Sequence, residues 1–528
     1  MEGVRLVESL EDKTLTPELD AEIRDRLSSE LIIALIGPVA SGVTTTAKTL
    51  EKKLKTDFGY DVPEIIKLSD FVKKFSSGEV SEPTLAERIA SYQDAGNKLR
   101  REHGHGVLAK LAVSEISKIR HSDGYRRVKN SAGGDVDVPL PVRRVYIIDS
   151  LKHPEEISQL REIYGNILWV IGVSAADHVR LARLEQMGVP NSKIPDLLNR
   201  DMGERAEFGQ KVRKAFCSSD FFIRNDSENL NNIEESLLRF LDVIFGTRLK
   251  TPSSEESAMF NAATAASKSA CMSRQVGAAL INESGDLISV GWNDVPQFGG
   301  GLYGDSAVDN RCFNWRDRIC HNDSEKHKIE TRVVEGIRSA IARKAADAPL
   351  VAGKRQMPLQ LGDEEIRAAI ESSGISSLIE FSRAIHAEMA AILSVARDKR
   401  HSLDGATMVV TTYPCHNCAR HIVASGVREV IYIEPYEKSL AVKLHPDTIT
   451  EDDRVKNKVL FRQFQGFAPR HILDLFSVKV DRKKSGKLVE FDRVSALPLY
   501  RRHLDSFTLY EDKIVNDVAA LVGGRDGG

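Results

Sequence analysis

His386-Ala387-Glu388 and, 29 positions after that histidine, Pro414-Cys415-His416-Asn417-Cys418 are the stretches on which the fold and chemistry of this chain turn. A catalytic zinc takes three nitrogen or sulfur ligands from the protein and keeps a fourth position open for water. His386, Cys415 and Cys418 supply such a set. Proline suits the first turn of a helix, so Pro414 puts the two cysteines near a helix N-terminus, where backbone N–H groups and the helix dipole favour thiolates. Around the histidine, Ile385, Met389, Ile392, Leu393 and Ala396 follow the three-and-four spacing of an amphipathic helix. Residues two apart do not share a helix face, so His386 and Glu388 serve one metal only if it lies off the start of that helix. Glu388 is then left to move protons and is not a ligand. A lone C-x-x-C reads as a redox pair or half of a structural zinc site; the upstream histidine and glutamate argue against both.

The order H-x-E … P-C-x-x-C resembles that of the zinc nucleobase deaminases. Ser273-Arg274-Gln275-Val276-Gly277-Ala278-Ala279-Leu280-Ile281, a Gly285-Asp286 turn, and Leu287-Ile288-Ser289-Val290-Gly291-Trp292-Asn293 read as a hairpin of two buried strands. Val430-Ile431-Tyr432-Ile433 reads as the next core strand. Over about residues 255 to 445 the chain resembles the deoxycytidylate deaminases. That resemblance implies a cytidine deaminase-like α/β/α sandwich, Zn2+ on His386, Cys415 and Cys418, Glu388 as catalytic proton shuttle, and Asn293 and Ala387 against the substrate, with Asn293 on the sugar. The implied reaction is hydrolytic deamination of dCMP or dCTP to dUMP or dUTP with release of ammonia. Insertions at about 298–380 and 435–500 leave the choice between mono- and triphosphate open. The first insertion carries Cys312, Cys320, His321 and His327, ligand types that suit a second zinc in a spacing that matches no standard structural pattern; the alternative is a pair of buried thiols beside surface histidines.

The N-terminal half is a different object. Leu31-Ile32-Ile33-Ala34-Leu35-Ile36 is a continuous apolar strand, followed by Gly37-Pro38-Val39-Ala40-Ser41-Gly42-Val43-Thr44 and a helix. Gly37 and Gly42 keep the spacing of a phosphate-cradling loop, and Thr44 stands where the magnesium-binding hydroxyl belongs. Val43 stands where the phosphate-clamping lysine belongs. Arg144-Val145-Tyr146-Ile147-Ile148-Asp149 and Ile167-Leu168-Trp169-Val170-Ile171-Gly172-Val173 read as further strands, and their alternation with helical stretches predicts a parallel sheet with helices on both faces. Residues 30 to 247 resemble the P-loop nucleotide kinases; Asp149 falls at the metal-side acid, and Arg180 and Arg183 on a lid-like helix. Without the lysine, phosphoryl transfer is not expected, and the half reads either as a module that binds a regulatory nucleotide or as a scaffold that has lost its ligand.

Both halves are thus α/β: a kinase-like domain over 1–247, a deaminase domain over 250–500 and a tail over 501–528. A net charge of −2 with interspersed signs gives no overall basic footprint for nucleic acid, and aromatics at 6% provide few stacking platforms, which places an editing deaminase acting on RNA or single-stranded DNA second. Six cysteines, two assigned to zinc, make no disulfide framework. The absence of a long apolar run and the polar start predict a cytoplasmic protein with no membrane partner. The stretch 122–141 reads as a long exposed loop. The two-part organisation resembles the bacterial anti-phage deoxycytidylate deaminases. It implies nucleotide depletion as antiviral defence, a homo-oligomer, and as a further possibility silencing by a small inhibitory RNA.

Overall fold

The six side chains of Leu31–Ile36 are all buried, as a strand apolar on both faces requires in the middle of a covered parallel sheet. In a computed structural model, which describes residues 26–523 other than 76–83, 123, 130–134, 204–208, 227–229, 307, 347–349, 352–353, 356–361, 373–380, 437, 479–481 and 490, that is its position. Strands β1 (Leu31–Ile36), β2 (Ile66–Lys67), β3 (Val145–Leu151), β4 (Leu168–Ser174) and β5 (Phe221–Arg224) form a parallel sheet in the order β2-β3-β1-β4-β5. The short strand Gly466–Phe467 adds to β5 in antiparallel sense. Among the helices of this unit are α1 (Val43–Asp57), α2 (Val107–His121), α3 (Asp177–Gln186) and α4 (Ile194–Gly203).

The chain divides into two compact units, one comprising residues up to Glu256 together with Gln463 onward, the other Ser257–Arg462. The expected boundaries at 250 and 500 and a tail from 501 are therefore corrected, because three buried charge clusters build residues 463–523 into the first unit. Buried Asp220 accepts hydrogen bonds from the Val170 N–H at 2.7 Å and from Arg161 at 3.0 Å, and also from Arg470 at 2.6 Å and the His471 ring at 2.7 Å. Glu256 is held by Arg239 and accepts from the Phe467 N–H at 2.8 Å. Arg120 on α2 pairs with Glu30 and with Glu511 of the helix Asp505–Gly523, and Tyr164 donates to Glu511 at 2.7 Å; all four side chains are buried. The stretch expected as a loop over 122–141 carries an antiparallel pair, Tyr125–Lys129 against Asp135–Pro139, while its Gly133-Gly134 lies outside the described residues. The terminal residues 524–528 also lie outside them. No helix among the described residues is long and apolar enough to cross a membrane.

In the second unit, β6 (Gly277–Ile281), β7 (Leu287–Trp292), α5 (Ala387–Asp398), β8 (Thr407–Thr412), α6 (His416–Ala424), β9 (Glu429–Glu434), β10 (Ile449–Thr450) and β11 (Val459–Gln463) follow in chain order. The sheet runs β10-β11-β9-β8-β6-β7, with β8 parallel to β9 and antiparallel to β6. β6 is fully buried, but β7 is only half-buried, since it is the edge strand of the hairpin. Gly291 of β7 lets α5 lie close on the hairpin: a Cβ there would sit 2.3 Å from the Ala387 carbonyl. The insertion after Asn293 contains a 26-residue helix, His321–Ala346, and a helix Asp363–Ser372, which share the small core Val334, Ile366 and Ile370.

Removing Arg120 strands two buried carboxylates, the kind of loss that costs about 3–5 kcal/mol. Arg120→Met should therefore lower the midpoint of the first unit's urea-unfolding transition, whereas Lys118→Met, an exposed neighbour, should not. Equal midpoints for the two variants would show that the ion cluster does not hold residues 505–523 in place.

Candidate active site

His386 and Cys415 are both helix N-caps with extended backbones, φ/ψ of −80/157° and −70/163° respectively. Pro414 precedes the cap and does not occupy the first helical turn as the sequence suggested; α6 begins at His416. The cap geometry solves the spacing problem posed by His386 and Glu388. The histidine leaves the chain before α5 begins, while Glu388 projects from its first turn, so two residues that could not share a helix face serve one spot.

There His386 Nδ1 lies 3.3 Å from the Cys415 sulfur and 3.4 Å from the Cys418 sulfur, and the three donor atoms fall within 4.8 Å of one another. Tetrahedral zinc, with bonds of about 2.0–2.1 Å to nitrogen and 2.3 Å to sulfur, sets such donors roughly 3.5 Å apart. The donor set fits Zn2+. The charges fit as well. The hydrogen bond from the Cys418 thiol, joined by that from His386, draws Cys415 down to about 4 against the effect of burial. Its hydrogen bond to Cys415, then burial, pushes Cys418 up. The hydrogen bond to Cys415 raises His386 to about 9. Protons shared among three crowded donors are what a dication displaces when it binds. Buried Glu388 is pushed above the usual carboxylate range, by burial first, with the neighbouring Cys415 acting in the same direction and His386 opposing.

His386, Cys415 and Glu388 stand on the wall of a cavity of about 540 Å³, within the 300–1,000 Å³ typical of small-molecule sites. Asn293 and Ala387 line it too. The Asn293 side chain accepts from the Val276 N–H at 2.7 Å and donates to the Arg274 carbonyl at 2.8 Å, so it fixes the Arg274–Val276 loop at the cavity edge. Four cations that the sequence reading did not single out as site residues, Arg274, Lys326, Arg383 and Lys438, share the lining. Arg274 follows the hairpin motif's first serine and Arg383 lies three residues before His386, which is the local signal that could have marked them; Lys326 and Lys438 carry none.

Of the two readings of Cys312, Cys320, His321 and His327, the structure favours the one without a second zinc. Among the described residues, His386, Cys415 and Cys418 are the group that converges for a metal. Cys312, Cys320 and His321 line the cavity, but exposed His327 pairs with Glu330 further along its helix.

In the first unit, Gly42 caps α1 with φ 92°, and a Cβ there would lie 2.1 Å from the Asn225 side-chain nitrogen. Thr44 Oγ1 donates to Asp149 Oδ2 at 2.8 Å, and Val43 is buried. A Cβ on Gly37 would meet the Val173 carbonyl at 2.3 Å.

The family model for the cytidine and deoxycytidylate deaminase zinc-binding region matches residues 252–434. The deoxycytidylate deaminase of Enterobacteria phage T2 is 33% identical over 172 residues, 33% of this chain and 75% of the phage protein. A UPF0200 protein of Saccharolobus islandicus is 24% identical over 198 residues, 37% of this chain and 85% of that one. The crystal structure of cyanophage S-TIM5 dCMP deaminase in complex with dCMP and dUMP aligns at 18% identity, covering 41% of this chain and 99% of that one, with a TM-score of 0.22. On the phage T2 match, read with the His-Cys-Cys centre and its buried glutamate, the chain belongs to the deoxycytidylate deaminase family and is a zinc-dependent hydrolase.

Proposed function

We propose that the second unit hydrolyses the exocyclic amine of deoxycytidine nucleotides, converting dCMP or dCTP to dUMP or dUTP and ammonia. The observation that carries this reading is one cavity with the His386, Cys415 and Glu388 side chains on its wall and Arg274, Lys326, Arg383 and Lys438 around it. Arg274 and Lys326 lie in loose ion pairs with Glu434 at 3.5 Å and Asp323 at 3.6 Å, and a phosphate, unlike an uncharged nucleoside, offers such cations a further partner. Zinc held by His386, Cys415 and Cys418 supplies a water-derived nucleophile near neutral pH. Glu388 takes the proton released in the attack and delivers it to the ring nitrogen; it then takes the remaining proton of the added oxygen as the ring carbonyl forms and passes it to the amine, which leaves as ammonia. Asn293, with one donor and one acceptor committed to the loop, keeps a second N–H and a second lone pair for the sugar. The first turn of α5 at Ala387 forms the wall against the base.

The first unit, on this reading, takes a regulatory nucleotide at Gly37, Gly42, Thr44 and Asp149, with Val43 depriving it of phosphoryl transfer. A homo-oligomer that drains deoxycytidine nucleotides in a phage-infected cell, silenced otherwise by that nucleotide or by a small RNA, is supported by the resemblance in two-part organisation described above.

Glu388→Gln should reduce deamination by at least ~10²-fold while the protein still carries one zinc per chain by atomic absorption; turnover within a few-fold of wild type sinks the shuttle role. Cys415→Ser should lose metal and activity together, and a wild-type content near two zinc ions per chain would restore the rejected cluster. Arg274→Ala should raise KM for dCMP or dCTP by ~10-fold and leave that for deoxycytidine unchanged, since a charge-assisted hydrogen bond contributes about 1.5–3 kcal/mol. An equal change for nucleotide and nucleoside would take Arg274 off the phosphate.

A further inference from the structure

The loop between β1 and α1 carries Val43, its side chain buried, where a phosphate-clamping lysine would stand, yet a lysine reaches the loop from elsewhere. Lys152, just past the end of β3, sets its Nζ 3.1 Å from the Gly37 carbonyl. The same amine lies 2.8 Å from Asp201 Oδ1. Asp201, fully buried near the end of α4, accepts with its other oxygen from the Val39 N–H at 2.5 Å. A carboxylate thus rests on a backbone N–H of the phosphate cradle, with a lysine as its counter-ion.

The rest of the loop is built for an anion. Arg180 donates from Nε to the Val39 carbonyl at 2.9 Å, which lays its guanidinium along the loop, and its Nη2 is buried with no partner. The Ser41 hydroxyl, within the loop and fully buried, also has no partner. Asn225 donates to the Ser41 carbonyl at 2.7 Å and Arg183 to the Ala40 carbonyl at 3.2 Å, so the loop's carbonyls are turned outward and tied. Thr44 and Asp149 stand together at 2.8 Å where a magnesium ion would join them to a phosphate. Two buried donors without acceptors, beside an N–H already bonded to a carboxylate, are what a phosphate chain with several acceptor oxygens satisfies and one carboxylate does not.

We propose that this loop binds the phosphates of a nucleoside triphosphate, that Lys152 supplies the clamping cation missing at position 43, and that Asp201 latches the site by standing in for a phosphate until the nucleotide displaces it. The proposal rests on the reading of the Gly37–Thr44 loop as a phosphate cradle and is independent of the deaminase chemistry. Displacement frees Asp201 and with it the end of α4, so nucleotide binding and the position of that helix are linked: a phosphate oxygen seated at the Val39 N–H and Lys152 takes the place of an Asp201 oxygen there.

The test is calorimetric titration of the full chain with Mg-ATP. Asp201→Asn, which keeps the volume and removes the competing charge, should bind ATP at least 10-fold more tightly than wild type. Lys152→Met should weaken binding at least 10-fold in both the wild-type and Asp201→Asn backgrounds, and Lys152→Arg should restore most of it, which a merely structural role would not require. If Lys152→Met fails to fold, as judged by its unfolding transition, the Lys152→Met, Asp201→Asn double variant removes both charges of the pair and keeps the comparison open. Equal ATP affinity in wild type and all variants overturns the roles of Lys152 and Asp201 while leaving the cradle in place. No ATP binding by any of the proteins at millimolar nucleotide overturns the cradle itself.

Discussion

The approach of one imidazole nitrogen to two sulfurs, 3.3 and 3.4 Å away, is the constraint that the rest of the second unit serves. Three such donors repel or trap protons unless a cation lies between them, and they stay together because each is fixed at a helix start. α5 is pressed onto the hairpin where Gly291 leaves no side chain in the way, and α6 starts shortly after β8, whose neighbours on both sides are core strands. Hairpin and sheet therefore aim two helix N-termini at one point. The positive ends of their dipoles favour the thiolates, and Glu388 is buried beside the donors in a place where a carboxyl holds its proton more firmly than in water.

The first unit is organised around an analogous helix start, that of α1, but its anion is internal. Asp201 and Lys152 satisfy each other there at 2.8 Å. On the proposed reading, each unit offers a helix N-terminus to a ligand.

The convergence of His386, Cys415 and Cys418, the place of Glu388 beside them and the turn from β1 into α1 were legible because each is a short motif whose spacing is fixed by local geometry. So was the central strand of the first sheet, since six consecutive apolar residues have few other uses. The allocation of residues 463–523 was not legible. It depends on Asp220 with Arg470 and His471, and on Arg120 with Glu511, partners some 250 and 391 positions apart; a buried arginine and a surface one look alike in sequence. The same reason hid Lys152 and Asp201. Whether Cys312, Cys320, His321 and His327 hold a second zinc was left open, because composition marks residue types that can bind zinc but not whether their side chains converge, and His327 falls on the exposed side of a long helix. Val128 and Val136 pair across a hairpin where Gly and Asp suggested an open loop.

Whether the cavity around His386, Cys415, Cys418 and Glu388 deaminates free deoxycytidine nucleotides is decided by ammonia release from the zinc-replete full chain, supplied in parallel with dCMP, dCTP, deoxycytidine and a cytosine-containing single-stranded oligonucleotide. Release from dCMP or dCTP, with the oligonucleotide left intact, is the expected result; release from the oligonucleotide with none from either nucleotide would contradict it.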